Sequence, residues 1–167
     1  MRAFAIVLSG AAILGLCGMA AWGQAGRARD TPAPTDKTLA WSAMEMKTIG
    51  QEMAAGKEIT HRFFGEKGYN MEVRRLTGAQ PILQHAKKSD FMVIQDGEGT
   101  FMSGGELVDG NAQGEDQGDM RGASLRGGVS RVLRAGDVMF VPAGVPHGFV
   151  ETKDHVTFVM VRFDTKQ

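Results

Sequence analysis

An all-β domain with one short helix is the fold class the sequence predicts, and three observations predict it. From Glu58 onward the chain breaks into nine short β-type runs divided by Gly, Pro and Asp. Glycine is abundant, at 23 of 167 residues, while aromatics make up only 7%, as suits a turn-rich fold. There is no repeat of solenoid period, so the runs must close on one another as a sandwich or barrel.

Residues 1–25 read as a leader. Arg2 is the only charge before Arg27, an apolar run extends from Ala3 to Trp22, and the small residues Gly23 and Ala25 mark a cleavage site, so the mature chain would begin near Gly26. The alternative is an uncleaved anchor, since about twenty apolar residues just span a bilayer. On the leader reading the protein is exported, to the periplasm or the medium, with no membrane attachment after cleavage. Cleavage also removes the only cysteine, Cys17, and with it any disulfide, thiolate nucleophile or cysteine metal site.

Residues 26–41, with Thr31-Pro-Ala-Pro-Thr35, read as an extended linker, and residues 42–167 as the folded domain. Ser42-Ala43-Met44-Glu45 has capping-box spacing; Met46, Ile49 and Met53 follow at three- and four-residue steps, and Gly56 ends the run. A helix over 43–55 results, its Met stripe serving to pack on a sheet. The strands expected next are Ile59 to Phe64, Tyr69 to Leu76, Pro81 to His85, Phe91 to Gln95, Thr100 to Ser103, Val129 to Leu133, Val138 to Val141, His147 to Val150 and Val156 to Phe163. Between Gly104 and Gly128 the chain is too polar for a strand pair and reads as a long loop, either a lid or a solvated insertion. Gly97-Glu98-Gly99 and Gly104-Gly105 lead into no helix, so they read as hairpin turns and not as phosphate cradles.

Nineteen basic against nineteen acidic side chains leave no excess to hold a phosphate backbone, which argues against nucleic acid as a partner. With no Gly-x-Ser-x-Gly, and no cysteine once the leader is gone, acyl-enzyme chemistry has little support.

The densest signal is Gly136-Asp-Val-Met-Phe-Val-Pro142-Ala-Gly144-Val-Pro146-His147. Val138 to Val141 fill a strand, Pro142 ends it, and Gly144 and Pro146 shape a reversal that delivers His147 to the next strand. This stretch resembles the second motif of the cupin superfamily, G-x5-P-x-G-x2-H-x3-N, at Gly136, Pro142, Gly144 and His147, with Glu151 at the final position. The first motif, G-x5-H-x-H-x3,4-E-x6-G, is matched in its later part by His85, Asp90 and Gly97, with Leu83 where the first histidine belongs.

The resemblance implies a cupin-type jelly-roll β-barrel. It further implies one divalent metal ion, Fe, Mn, Ni, Cu or Zn, held by His85, Asp90 and His147. A set of two histidines and one carboxylate leaves open positions for a substrate. Leu83, Met92, Ile94, Phe149 and Glu151 are expected to line the pocket, Glu151 because it lies four residues from His147 on one strand. The other reading of the histidines is structural, with His85 and His147 hydrogen-bonding each other or Asp90. His61 and His155 fit no motif and read as surface or rim residues.

Three functions remain open at this stage. One is a metal-dependent enzyme of the oxygenase or isomerase and lyase type acting on a small molecule. A second is a module that binds a small ligand or metal without turnover. The third is a structural domain. A homodimer, common in the family, would cover exposed sheet edges.

Overall fold

The computed structural model describes residues 31–66, 68–113 and 118–165. The leader expected over 1–25 and the start of the linker lie outside these residues. Among the described residues no helix is long and apolar enough to cross a membrane.

Helix α1 (Ala43–Gly56) begins as the capping box requires: Ser42 Oγ accepts from the Glu45 N–H, and a Glu45 carboxylate oxygen accepts from the Ser42 N–H. It ends with Lys57 in the left-handed conformation at the cap. Met53 is its buried anchor, and Gly50 lets the helix lie close to Thr157 on the sheet. Part of the expected linker is also packed. The Gly65 N–H donates to the Thr31 carbonyl, and the Trp41 and Phe63 rings sit 4.2 Å apart.

Eleven strands follow: β1 (Thr60–Glu66), β2 (Tyr69–Leu76), β3 (Ile82–Gln84), β4 (Lys88–Ser103), β5 (Glu106–Val108), β6 (Asn111–Ala112), β7 (Met120–Gly122), β8 (Ser124–Arg126), β9 (Val129–Arg134), β10 (Val138–Val141) and β11 (His147–Asp164). All pairings are antiparallel. Nine strands form one sheet that runs β1-β2-β11-β3-β7-β6, with β4 against β11 and with β9 and β10 added to β4. Strands β5 and β8 form a separate ribbon. The fold is a jelly roll, although the sheet does not close fully into a barrel.

The long pair β4–β11 is the spine. The sequence suggests two strands where each of these is one, because Gly97-Glu98-Gly99 and Lys153-Asp154 look like turns. They are instead the two sides of a bend. Three residues of β11 bulge past β4 between Thr152 and Val156, and Gly97 faces them with φ +79. A Cβ at Gly97 would come within 2.1 Å of the His155 carbonyl oxygen, so glycine is required there. The bend curls the sheet over a core of Leu76, Met92, Ile94, Phe101, Leu133, Val141, Phe149, Val156, Phe158 and Met160. Strict alternation carries Asp90, Met92 and Ile94 of β4 to the inner face, all of them buried.

The segment expected to be one polar loop, 104–128, forms β5 to β8 instead. Gly110 and Gly122 let Leu107 lie against the backbone, supplying the apolar contact that its polar composition concealed. This lobe folds against β3 and brings Asp119 to the mouth of the jelly roll.

Candidate metal centre and cavity

Two strand ends and one turn position the site. The Gly144 N–H donates to the His85 carbonyl at 2.7 Å, and Gln84 Nε2 donates to the Gly144 carbonyl at 3.1 Å. The reversal after β10 is therefore tied to the segment carrying His85. His147 opens β11 in register with Leu83 on one side and Ser103 on the other. Asp90, near the start of β4, pairs with Val141 and with Arg162.

His85, Asp90 and His147 are all buried, and one ligating atom from each lies within 4.8 Å of the others. The His85 and His147 rings are 5.7 Å apart. His85 Nδ1 lies 2.6 Å from Asp119 Oδ2, and Asp119 Oδ1 accepts from the Ala86 N–H at 2.9 Å. A carboxylate only accepts, so His85 Nδ1 carries the proton, and in the neutral ring Nε2 presents a lone pair. That Nε2 is buried and has no hydrogen-bond partner among the described residues. Burial, and then the positive charge of Arg162, push the His85 pKa below its usual value, which favours the neutral ring.

His147 is arranged in the same way. Its Nδ1 donates to the Val145 carbonyl at 2.9 Å, and its Nε2 points at Asp90 Oδ2 from 3.3 Å. Two imidazoles, each with Nδ1–H fixed by an oxygen and Nε2 turned toward one carboxylate, form a donor set that suits a divalent ion. Two donors on a common ion stand at most about 4.2 Å apart, so small side-chain rotations suffice to bring these three together.

Asp90 has another partner. Arg162 donates to both of its oxygens, Nε to Oδ1 at 2.6 Å and Nη2 to Oδ2 at 2.7 Å. Burial would raise the Asp90 carboxyl, but the Arg162 hydrogen bonds, with help from His147, hold it well below the usual carboxylate range. In return, Asp90 raises Arg162 against the opposing effect of burial. Asp90 is therefore a carboxylate at any ordinary pH.

The three side chains open into a cavity of about 560 Å³. Leu83, Met92 and Phe149 line it, at the positions the sequence suggested. Ile94 does not; it points inward but lies in the packed core, 1% exposed. Glu151 is a second correction. A bulge between Phe149 and Glu151 breaks the period of two on β11 and turns Glu151 out to solvent. His61 is half-buried beside Phe63, and His155 sits between Asp154 and Asp96, both away from the cavity.

No protein-family model matches the chain, and no curated protein matches it by sequence. Solved structures do. The protein BH2720 from Bacillus halodurans is 8% identical over 82% of this chain and 89% of its own, with a TM-score of 0.51. The cupin fold is thus shown. An uncharacterized conserved protein with a double-stranded beta-helix domain from Klebsiella pneumoniae is 16% identical over 64% of this chain and 76% of its own, TM-score 0.42. HppE crystallised with Co(II) is 17% identical over 63% and 52%, TM-score 0.44.

Two residues of this cupin's site escaped the sequence reading. Asp119 lies 34 residues from His85 in a segment whose acidic composition suggested solvent, and nothing local marked it out. Arg162 did leave a signal. It follows Phe158 and Met160 at steps of two, so an inward apolar set ends in a charge that requires a buried partner.

Proposed function

We propose that this protein is an exported cupin that holds one divalent metal ion with His85, Asp90 and His147 and acts on a small molecule in the adjoining cavity. The observation that carries this reading is the buried Nε2 of His85, which has no protein partner while Nδ1 is locked by Asp119. A buried polar atom left unpaired costs about 1–3 kcal/mol, and a metal ion would offset that cost. When bound, the ion would supply Lewis-acid or redox chemistry at its open positions, fitting an oxygenase or an isomerase or lyase. The chain's own part is positional: Asp119 and the Val145 carbonyl set the imidazole tautomers, and Phe101 and Phe149 help keep water from the ligands.

A second reading, a ligand-binding module without metal or turnover, is favoured by one observation. Arg162 already neutralises Asp90 through both oxygens. Elemental analysis of the isolated protein beside the His85→Ala/His147→Ala double variant separates the two. Near-stoichiometric metal in the parent and none in the folded variant is the expected result. No metal in either, with no change in melting temperature on adding Fe, Mn, Ni, Cu or Zn, would leave the binding module standing.

For the proposed export, N-terminal sequencing of the isolated protein should begin at Gly26. We also propose a homodimer. Phe91, Val138 and Phe140 stand exposed on the outer face of β4 and β10, where a second copy would cover them, and a monomeric mass by light scattering would reject it.

A further inference from the structure

Three buried side-chain polar atoms lack a hydrogen-bond partner among the described residues: Arg74 Nε, His85 Nε2 and Gln113 Oε1. All three belong to residues that line the one cavity beside the candidate metal centre. They arrive from separate parts of the chain, Arg74 from β2, His85 after β3, and Gln113 just after β6. Native proteins pair nearly all of their buried polar groups, so three orphans around one cavity describe what its occupant must offer.

Each atom makes a specific demand. A guanidinium Nε–H only donates, and an amide Oε1 only accepts. The His85 Nε2 lone pair is taken up by the proposed metal ion. The occupant must therefore bring an acceptor to Arg74 and a donor to Gln113.

Charge sharpens the first demand. Arg74, Arg121 and Arg162 line the cavity against Asp90 and Asp119. Both aspartates are committed, Asp90 to Arg162 and Asp119 to His85 and the Ala86 N–H. Arg162 is committed in turn. Glu72, the other acid near Arg74, is gripped by Arg62 through Nε at 3.1 Å and Nη2 at 2.6 Å, and it reaches Arg74 only through Nη1 at 3.3 Å. Arg74 is the guanidinium with a buried donor in reserve, and a bound divalent ion would add further positive charge. An anionic acceptor fits best.

We infer that the cavity takes a small hydroxy-carboxylate, with its carboxylate on Arg74 and a hydroxyl donating to Gln113. A neutral polyol would leave Arg74 without an anion. A plain carboxylate would leave Gln113 without a donor. Leu76, Met92 and Phe158 form apolar wall, which suits a short carbon backbone between the polar ends. This inference rests on reading the cavity as a small-molecule site beside a metal centre.

Calorimetric titration tests it, using the protein as isolated, desalted, with metal content measured for every sample. Three probes separate the demands: gluconate carries both groups, glucitol only hydroxyls, and hexanoate only the carboxylate. Gluconate is expected to bind at least tenfold more tightly than either of the others. Arg74→Gln should remove that advantage over glucitol, and Arg74→Lys should restore part of it. Because Glu72 keeps Arg62, both variants should retain the parent's melting temperature to within a few degrees. Gln113→Leu, remote from that ion pair, should weaken gluconate and leave hexanoate unchanged, a test that survives if the Arg74 variants fail to fold.

Equal binding of gluconate and glucitol, no heat from gluconate at millimolar concentration, or an undiminished preference for gluconate in Arg74→Gln and Gln113→Leu would overturn the inference. Metal content reports separately on the metal centre. Absent metal with the preference for gluconate intact refutes that centre and supports the hydroxy-carboxylate; bound metal without the preference does the reverse.

Discussion

Replacing Arg162 with Met keeps much of the length of the side chain and removes the guanidinium from Asp90. The Asp90 side chain is 2% exposed and that of Arg162 19%, so the pair is largely desolvated. Removing one partner from such a pair strands a buried charge, at a cost of roughly 3–5 kcal/mol. In a folded body of this size, that loss corresponds to a drop in melting temperature of roughly 10–20 °C.

The pH dependence supplies a sharper check. In the parent, the Asp90 carboxyl lies below its model value of 3.8, so its contribution is complete above that pH and is lost only as acid reaches the folded-state value. His85, lowered from 6.5, binds protons more readily in the unfolded chain, so the parent weakens as pH falls below about 6.5. In Arg162→Met, burial acts on Asp90 with only His147 opposing it, and the carboxyl rises. A group raised in the folded state stabilises on protonation, so the variant should recover part of its loss between pH 7 and pH 5 while the parent declines.

The guanidinium and a metal ion also compete for the same carboxylate. Added Mn or Ni should therefore raise the melting temperature of the variant more than that of the parent. Differential scanning calorimetry across pH, with and without metal, measures all three effects. A loss under about 1 kcal/mol together with parallel pH slopes would refute the argument that Arg162 neutralises a buried Asp90.

Asp119→Asn should leave the fold intact and weaken metal binding about 10–100-fold in competition against a chelator, because His85 loses the carboxylate that sets its tautomer. Glu151→Gln should change neither metal affinity nor ligand binding in the same assays, since the bulge in β11 turns Glu151 outward. Gly97→Ala, at φ +79 and against the His155 carbonyl, should lower stability by about 2 kcal/mol or more in denaturant titration.

The sequence disclosed most clearly what repeats or punctuates. Tyr69–Leu76 and Val138–Val141 are strands with the boundaries that alternation and flanking turn residues suggested. The capping box fixed the start of α1. The run from Gly136 to His147 gave both the reversal and its histidine, because proline and glycine impose backbone geometry locally. Legibility failed where geometry depends on a distant neighbour. The bend in β4 and β11 looks like two turns because its glycine answers a bulge nearly sixty residues away. Asp119 acquires meaning only once the lobe of β5 to β8 has folded beside His85. Glu151 was misplaced because a single inserted residue reverses the face of everything after it until the next irregularity.

Strand β11 carries His147 at its first position and Arg162 near its last, and its flanks are β2, β3 and β4. Every ion pair and candidate ligand at Asp90 therefore waits for the final strand of the chain to seat against partners formed some seventy to ninety residues earlier. Loop closure over such distances makes folding slow, and a chain stopped before residue 147 would hold Asp90 in a half-built wall with neither cation nor imidazole to balance it. Competence at this site is thus a property of the finished polypeptide: partial products and C-terminally clipped molecules would be incapable of acquiring metal, whatever ion surrounds them.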